Sequence, residues 1–295
     1  MSRPRAIRDD ERGMILVNVL MFVAIASGLV LLMIDREELA LDRGLRMREA
    51  ARAQSVVRGG ELSALVALRR DGETAGDVDH AREPWAKLAA TAAPIEGGTF
   101  DLAIGDAEGR FNINSVRSGE AGAVVLLQEI ANEIEMPPEQ VVAAIQYVRL
   151  QGPVTDLRPL RLAGLDPKVA DRLEKVVTAL PGITTINLNA AEPELMQMLF
   201  KDPLVADRLL QVRKRQGFLT LKDLDDQHAT LPWGTSFKSS SFWVRTRATI
   251  GGTAQQEATL IQRRRTKEGK LETVPVERWR NAAVPPGVPA FGSGR

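Results

Sequence analysis

Apolar positions run almost without a break from Met14 to Ile34, interrupted only by Asn18, Ser27 and Gly28. At 1.5 Å per residue this stretch is about 32 Å long, the thickness of a bilayer's hydrocarbon core, which predicts a membrane-spanning helix. A secretory signal ends its shorter apolar core at small residues. Here Ile34 leads straight into Asp35, Arg36, Glu37 and Glu38. Arg3, Arg5, Arg8 and Arg12 precede the span, so the positive-inside rule keeps the head in the cytoplasm and sends the C-terminal bulk across. Beyond the span, Leu41, Leu45, Ala53, Val57, Gly60, Ala64 and Leu68 recur on one helical face, and no proline occurs between Arg5 and Pro84. One helix from about Met14 to about Arg70 is expected, with Gly44 and the Gly59-Gly60 pair as points where it can bend.

The pattern then changes period. In "TFDLAIGDAEGRFNINSV", Phe100, Leu102 and Ile104 alternate with other residues, as do Phe111 and Ile113, with Gly105 to Gly109 as turn material; this reads as a β-hairpin. Helical patterns follow at about 120–135, 139–150, 166–179, 193–200 and 203–216, separated by "MPPEQ", "QGPVTDLRP" and "LPGITT". Strand-like text resumes at "SFWVRTRATI", "EATLIQRRRT" and "KLETVPVERW", so the helical block is an insertion into a β part. The expected class is α+β. A long N-terminal helix (14–70, with 14–34 in the membrane) packs on an antiparallel sheet built from 71–118 and 239–280. An all-helical domain, 119–238, is inserted between the two halves, and a Pro/Gly-rich tail, 281–295, is predicted disordered.

Composition narrows the chemistry. A formal net charge of +1 over 295 residues gives no general pull toward nucleic acid, and the absence of cysteine removes disulfides and thiolate metal sites. The two histidines, His80 and His228, lie in different segments without metal-ligand spacing, and no Gly-rich phosphate loop occurs; no enzyme and no catalytic residues are expected. Asp223, Asp225 and Asp226 form an acidic cluster that would attract calcium, although it lacks the alternation and glycine of an EF-hand loop and also reads as an exposed acidic helix end.

Arg12-Gly13-Met14 followed by the apolar helix resembles the class III leader of type IV pilins and pseudopilins. The resemblance implies a leader of residues 1–13, cleavage by prepilin peptidase between Gly13 and Met14, and methylation of the new N-terminus at Met14. Most such subunits carry glutamate at the fifth mature position; this chain has Asn18. A carboxylate in the bilayer costs a few kcal/mol unless paired, so a neutral residue suits a subunit with no neighbour to pair with. Together with "GRFNINSV", "LPGITTINLNAAEPELMQML" and the order of elements, this resembles the minor pseudopilin K family of type II secretion systems. The resemblance implies a pilin-like fold anchored in the inner membrane, its bulk in the periplasm. It implies a place at the pseudopilus tip, where the subunit nucleates and caps assembly for export of folded proteins across the outer membrane. The partners it implies are the I- and J-type minor pseudopilins, the major pseudopilin, prepilin peptidase and the inner-membrane secretion platform; calcium sites occur in the family.

A second resemblance competes for "INLNAAEPELMQMLFKDPLVADRLLQVRKRQGFLTLKDL", which is similar to the helix-hairpin-helix DNA-binding module of competence proteins. That module offers glycine N–H groups to a phosphate. Here the hairpin is Phe200-Lys201-Asp202-Pro203-Leu204: glycine is absent, Pro203 has no N–H and Asp202 repels phosphate. Only Arg213, Lys214 and Arg215 are left to touch a nucleic-acid backbone, and no nucleic-acid partner is expected.

Overall fold

A computed structural model describes residues 9–74, 76–162, 164–280 and 284–292. The chain forms two compact units, one ending at Arg52 and one spanning Ala53–Arg295. Helix α1, Asp9–Thr74, runs through both without a break at Gly44, Gly59 or Gly60. In the first unit the stretch from Leu16 onward is the one helix of the described residues long and apolar enough to cross a membrane, with a mean hydropathy of 2.6 over its most apolar window and none of that window buried.

In the second unit α1 lies on a five-stranded antiparallel sheet of order β1 (Ala90–Ile95), β2 (Gly98–Asp106), β7 (Ser241–Ile250), β8 (Thr253–Arg265) and β9 (Leu271–Arg280). The helix buries Ala53, Val57, Ala64 and Leu68, spaced at the helical period, against Phe242, Val244, Ala248, Ile250 and Ile261. Gly60 sits at the closest approach, where a Cβ would lie 2.6 Å from the Phe100 ring. Polar staples complete this face. Arg263, buried on β8, binds Asp71 at 2.5 Å and Asp79 at 2.6 Å, and Arg278 grips Glu61 with two hydrogen bonds of 2.7 and 3.1 Å.

The hairpin expected at 100–113 is not formed. β2 pairs instead with β1 and β7, with Asp106 opposite Phe242, while Phe111–Asn112 (β3) leaves the sheet to pair in parallel with Val177–Thr178 (β4). The true partner, "ATAAPI", is alanine-rich and shows no alternation; it turns into β2 at Glu96-Gly97, where Gly97 has φ 78°.

Everything between β2 and β7 belongs to the helical block. Phe111, Ile113 and Val116 share its core, so it begins well before residue 119, where the sequence places its start. It contains α2 (Ala121–Glu133), α3 (Pro138–Gln151), α4 (Arg158–Leu162), α5 (Pro167–Val176), α6 (Pro193–Leu199), α7 (Pro203–Gln216) and α8 (Leu221–Asp226). Two short parallel ladders, β3–β4 and β5–β6 (Ile186–Asn187 with Thr235–Ser236), add strand character to a region read as purely helical.

These parts repeat. Each half opens on a two-residue strand ending in Asn-x-Asn (Asn112-Ile113-Asn114, Asn187-Leu188-Asn189) and continues through a helix pair. The pair ends in Gln-Gly-x-apolar-Thr (Gln151 to Thr155, Gln216 to Thr220), and the half closes with a strand parallel to its first. The glycines of the two copies, Gly152 and Gly217, take φ of 103° and 99°. The block is a doubled module.

Of the tail read as disordered, residues 284–292 lie on the sheet face opposite α1: Val288 packs with Trp243 and Leu260, and Phe291 stacks on Arg245 and Arg247.

Candidate assembly site

The residues singled out in the sequence, and the buried polar groups beside them, fall in three places: the N-terminal helix, the seam between sheet and block, and the surface of the block. In the helix, Met14 and the apolar residues from Leu16 to Ile34 are more than half exposed, apart from small Ala, Ser and Gly positions, with Asn18 on the same bare surface. Such an apolar cylinder is stable only in lipid or against like helices. Gly13 lies within α1, while Arg3, Arg5 and Arg8 of the expected leader lie outside the described residues.

At the seam the chain crosses from sheet to block at 106–108 and returns at 239–241, and both crossings meet in one buried polar network. Asn187 donates to the carboxylate of Asp106 at 2.8 Å, to Ser239 Oγ at 2.9 Å and to the carbonyl of Asp79 at 3.0 Å. Asp106 also accepts from Ser239 Oγ at 2.6 Å and from the Glu108 N–H at 2.7 Å, and Ser240 Oγ donates to Glu108 at 2.5 Å. Burial pushes Asp106 up to about 6 despite these hydrogen bonds. Burial likewise pushes Glu108 up to about 7, with the Asp106 charge adding to it. Because Asn187 of the block is bonded to both crossings at once, the network holds the block in one orientation on the sheet.

The one local trace of this network in the sequence is the pair of Asn-x-Asn repeats, each of which bends the chain by a side-chain carbonyl accepting the N–H two residues on, at 3.1 Å for Asn112 and 2.9 Å for Asn187.

The acidic trio is dispersed by local chemistry. Asp223 turns back to cap α8, accepting from the Thr220 N–H at 2.8 Å and its hydroxyl at 2.7 Å; partial burial raises its pKa, but those bonds carry it below the usual carboxylate range. Asp226 pairs with Lys222 at 2.7 Å. Asp223, Asp225 and Asp226 therefore offer calcium no shared cage of oxygens. Among the described residues, the three carboxylates gathered within 4.8 Å of one another are Asp71, Asp79 and Glu83, and the first two already hold the Arg263 guanidinium.

Of the three basic residues left to the helix-hairpin-helix reading, Lys214 and Arg215 are exposed and Arg213 is not available. Asp202 caps α7 through the Leu204 N–H at 2.9 Å. Arg213 points inward and donates to the carbonyls of Leu188 and Ala191, each at 2.6 Å, so it braces the hairpin rather than facing a phosphate.

An exposed membrane-length helix whose later turns pack on an antiparallel sheet, with a large block spliced between two paired strands, fits a pilin-like fold with an N-terminal membrane anchor. No protein-family model matches the chain. It is 26% identical to Type II secretion system protein K of Pseudomonas aeruginosa strain PAO1 in an alignment of 318 positions that covers 91% of this chain and 93% of that protein. Its fold is similar to a chain in the crystal structure of the GspK-GspI-GspJ complex from the enterotoxigenic Escherichia coli Type 2 Secretion System. There the TM-score is 0.60 and the identity 18%, with 82% of this chain and 100% of that chain covered. The curated relative is the K component of a type II secretion system and the fold neighbour is a chain of a complex that contains one, in line with the resemblance in the sequence.

Proposed function

We propose that this chain is a minor pseudopilin that stands at the tip of a pseudopilus, anchored in the inner membrane with its N-terminus cytoplasmic and its sheet and helical block in the periplasm. Its work is assembly, not catalysis. One observation carries the tip position: the whole doubled block, Ala107 to Ser240, is spliced into a single connection between the paired strands β2 and β7. A shaft grows by stacking identical heads, and a head enlarged in this way cannot repeat at each step without collision, so it suits an end.

Asn18 fits the same position, because a subunit with nothing above it has no amino terminus to neutralise a buried glutamate. The solved GspK-GspI-GspJ complex supports partnership with I- and J-type minor pseudopilins. In this reading prepilin peptidase cuts between Gly13 and Met14, and Met14 is methylated. The full chain, extracted from membranes of cells carrying the complete system, should then have an intact mass beginning at methylated Met14 and should copurify with I- and J-type partners. Gly13→Val, which places a β-branched side chain at the scissile bond, should leave uncut precursor that is absent from those complexes. Normal maturation of Gly13→Val, or a wild-type chain that purifies with no minor pseudopilin, overturns the proposal.

A further inference from the structure

The sheet face turned away from α1 has a character that an antiparallel sheet facing water lacks. Trp243, Leu260 and Trp279 form an apolar strip beside the cations Arg245 and Arg247. Residues 284–292 cover it beside Ala107 and Leu180, which pack on the same tryptophan, and do so without joining the sheet as a strand.

The tail is held by side chains and shape. Pro289 lies over Gly105, where a Cβ would come 3.3 Å from the proline Cβ and Cγ. The guanidinium carbons of Arg245 and Arg247 sit 4.4 Å and 4.6 Å from the centre of the Phe291 ring, a double cation–π clamp. The Val288 N–H turns back to the Pro285 carbonyl at 3.0 Å, which sets Val288 against Trp243. Beside the tail a cavity of about 300 Å³ stays open, lined by Arg110, Arg158, Trp243 and Trp279 and roofed by Pro285 and Pro286.

A stiff, proline-bearing segment laid in a groove of tryptophan and arginine is a general mode of peptide recognition: the prolines restrict the free peptide, so little entropy is lost on docking. Pro285, Pro286 and Pro289 carry no N–H, so displacing the segment breaks few backbone hydrogen bonds.

We propose that the outer face of the sheet is a binding site for an extended proline-aromatic peptide, filled in this chain by its own tail, and that the tail is a displaceable strap. Tethering gives the tail an effective concentration of order millimolar, so contacts too weak for tight binding in trans suffice in cis. A competing segment with the same Pro-x-Phe pattern gains the groove by displacing Pro289 and Phe291.

The chain has no cysteine, which makes the test direct. In detergent-solubilised full-length protein, Gly105→Cys with Pro289→Cys should close a disulfide under mild oxidation, since their Cβ atoms already lie near bridging distance. A second full-length variant, Pro289→Ala with Phe291→Ala, loosens the strap while leaving the groove intact. Adding the peptide Val-Pro-Pro-Gly-Val-Pro-Ala-Phe-Gly should shift its tryptophan emission with a Kd of order 0.1–1 mM, and a peptide with alanine for phenylalanine should bind at least fivefold more weakly. The oxidised cysteine variant should ignore the peptide until it is reduced. Absence of the cross-link overturns the strap. Failure of the loosened chain to bind at several millimolar, or equal binding of the alanine peptide, overturns the receptor.

Discussion

Asn187 shows how much one side chain decides here. Its amide nitrogen reaches three acceptors from three segments distant in sequence, and its oxygen fixes the turn that follows, so no hydrophobic substitute fills the same role. In the sequence this asparagine is one letter in "TTINLN", and nothing local marks it as buried; its burial depends on Asp79, Asp106 and Ser239 converging from elsewhere. The two carboxylates beside it carry a pH signature. Folded Asp106 and Glu108 hold their protons up to about 6 and about 7, whereas the unfolded chain releases them near ordinary carboxylate values. The folded state therefore binds more protons across that window. Its advantage is complete below about pH 4 and fades as pH rises through 6 to 7. The full chain should thus melt at a higher temperature at pH 5.5 than at pH 8. Glu108→Gln keeps an acceptor for Ser240 but removes the titration, and should flatten the difference by on the order of 2 kcal/mol. Unequal slopes that survive the substitution unchanged would place the proton elsewhere.

The elements were legible in the sequence in proportion to how local their causes are. The spacing of Ala53, Val57, Ala64 and Leu68 fixes the buried face of α1, and proline at the first turn of α3, α5, α6 and α7 marks where each begins. The short α4, the alanine-rich β1 and the two-residue ladders were not legible, because five residues show no period and a two-residue strand exists only through its partner. The doubling of the block was written in the text as "NIN" with "QGPVT" and "NLN" with "QGFLT", but it becomes meaningful only when both copies are seen to do the same work. In each, the second asparagine pairs with the backbone of the apolar residue two positions after the glycine. Asn114 accepts from the Val154 N–H at 2.9 Å and donates to its carbonyl at 2.8 Å; Asn189 treats Leu219 the same way at 2.6 and 3.1 Å. If the copies are equivalent, Asn114→Ala and Asn189→Ala should each cost about 2–3 kcal/mol in urea unfolding, because each strands a buried N–H and C=O. Asn132→Ala, on an exposed turn of α2, should stay within about 0.5 kcal/mol. A large cost at one site alone would mean that only one half depends on this pairing.

At the scale of the molecule, the sheet does not need the block to close. Asp106 and Phe242 are already paired, and the Ala107 N–H meets the Ser241 carbonyl at 3.0 Å, so the chain leaves and re-enters the sheet at one point. An insertion with adjoining ends adds little closure entropy and can be removed with little loss. Residues 107–118 must go with it, since Phe111, Ile113 and Val116 belong to the block's core and would be left bare by a cut at residue 119. Deleting Ala107–Ser240 and joining Asp106 to Ser241 through Asn-Gly makes β2 and β7 a hairpin, with Asn, Gly and Ser241 as a three-residue loop between the paired Asp106 and Phe242. The shortened chain keeps the apolar anchor, the buried face of α1 and the Arg263 and Arg278 staples, and should still unfold cooperatively on heating. In cells overproducing pseudopili it should copurify with the I- and J-type subunits yet no longer limit the filaments, which electron microscopy should show as longer or more numerous. Filaments of unchanged length and number would mean that the block does not cap. Loss of copurification from a folded chain would mean instead that the block is the surface the partners hold, moving its role from ending the filament to starting it.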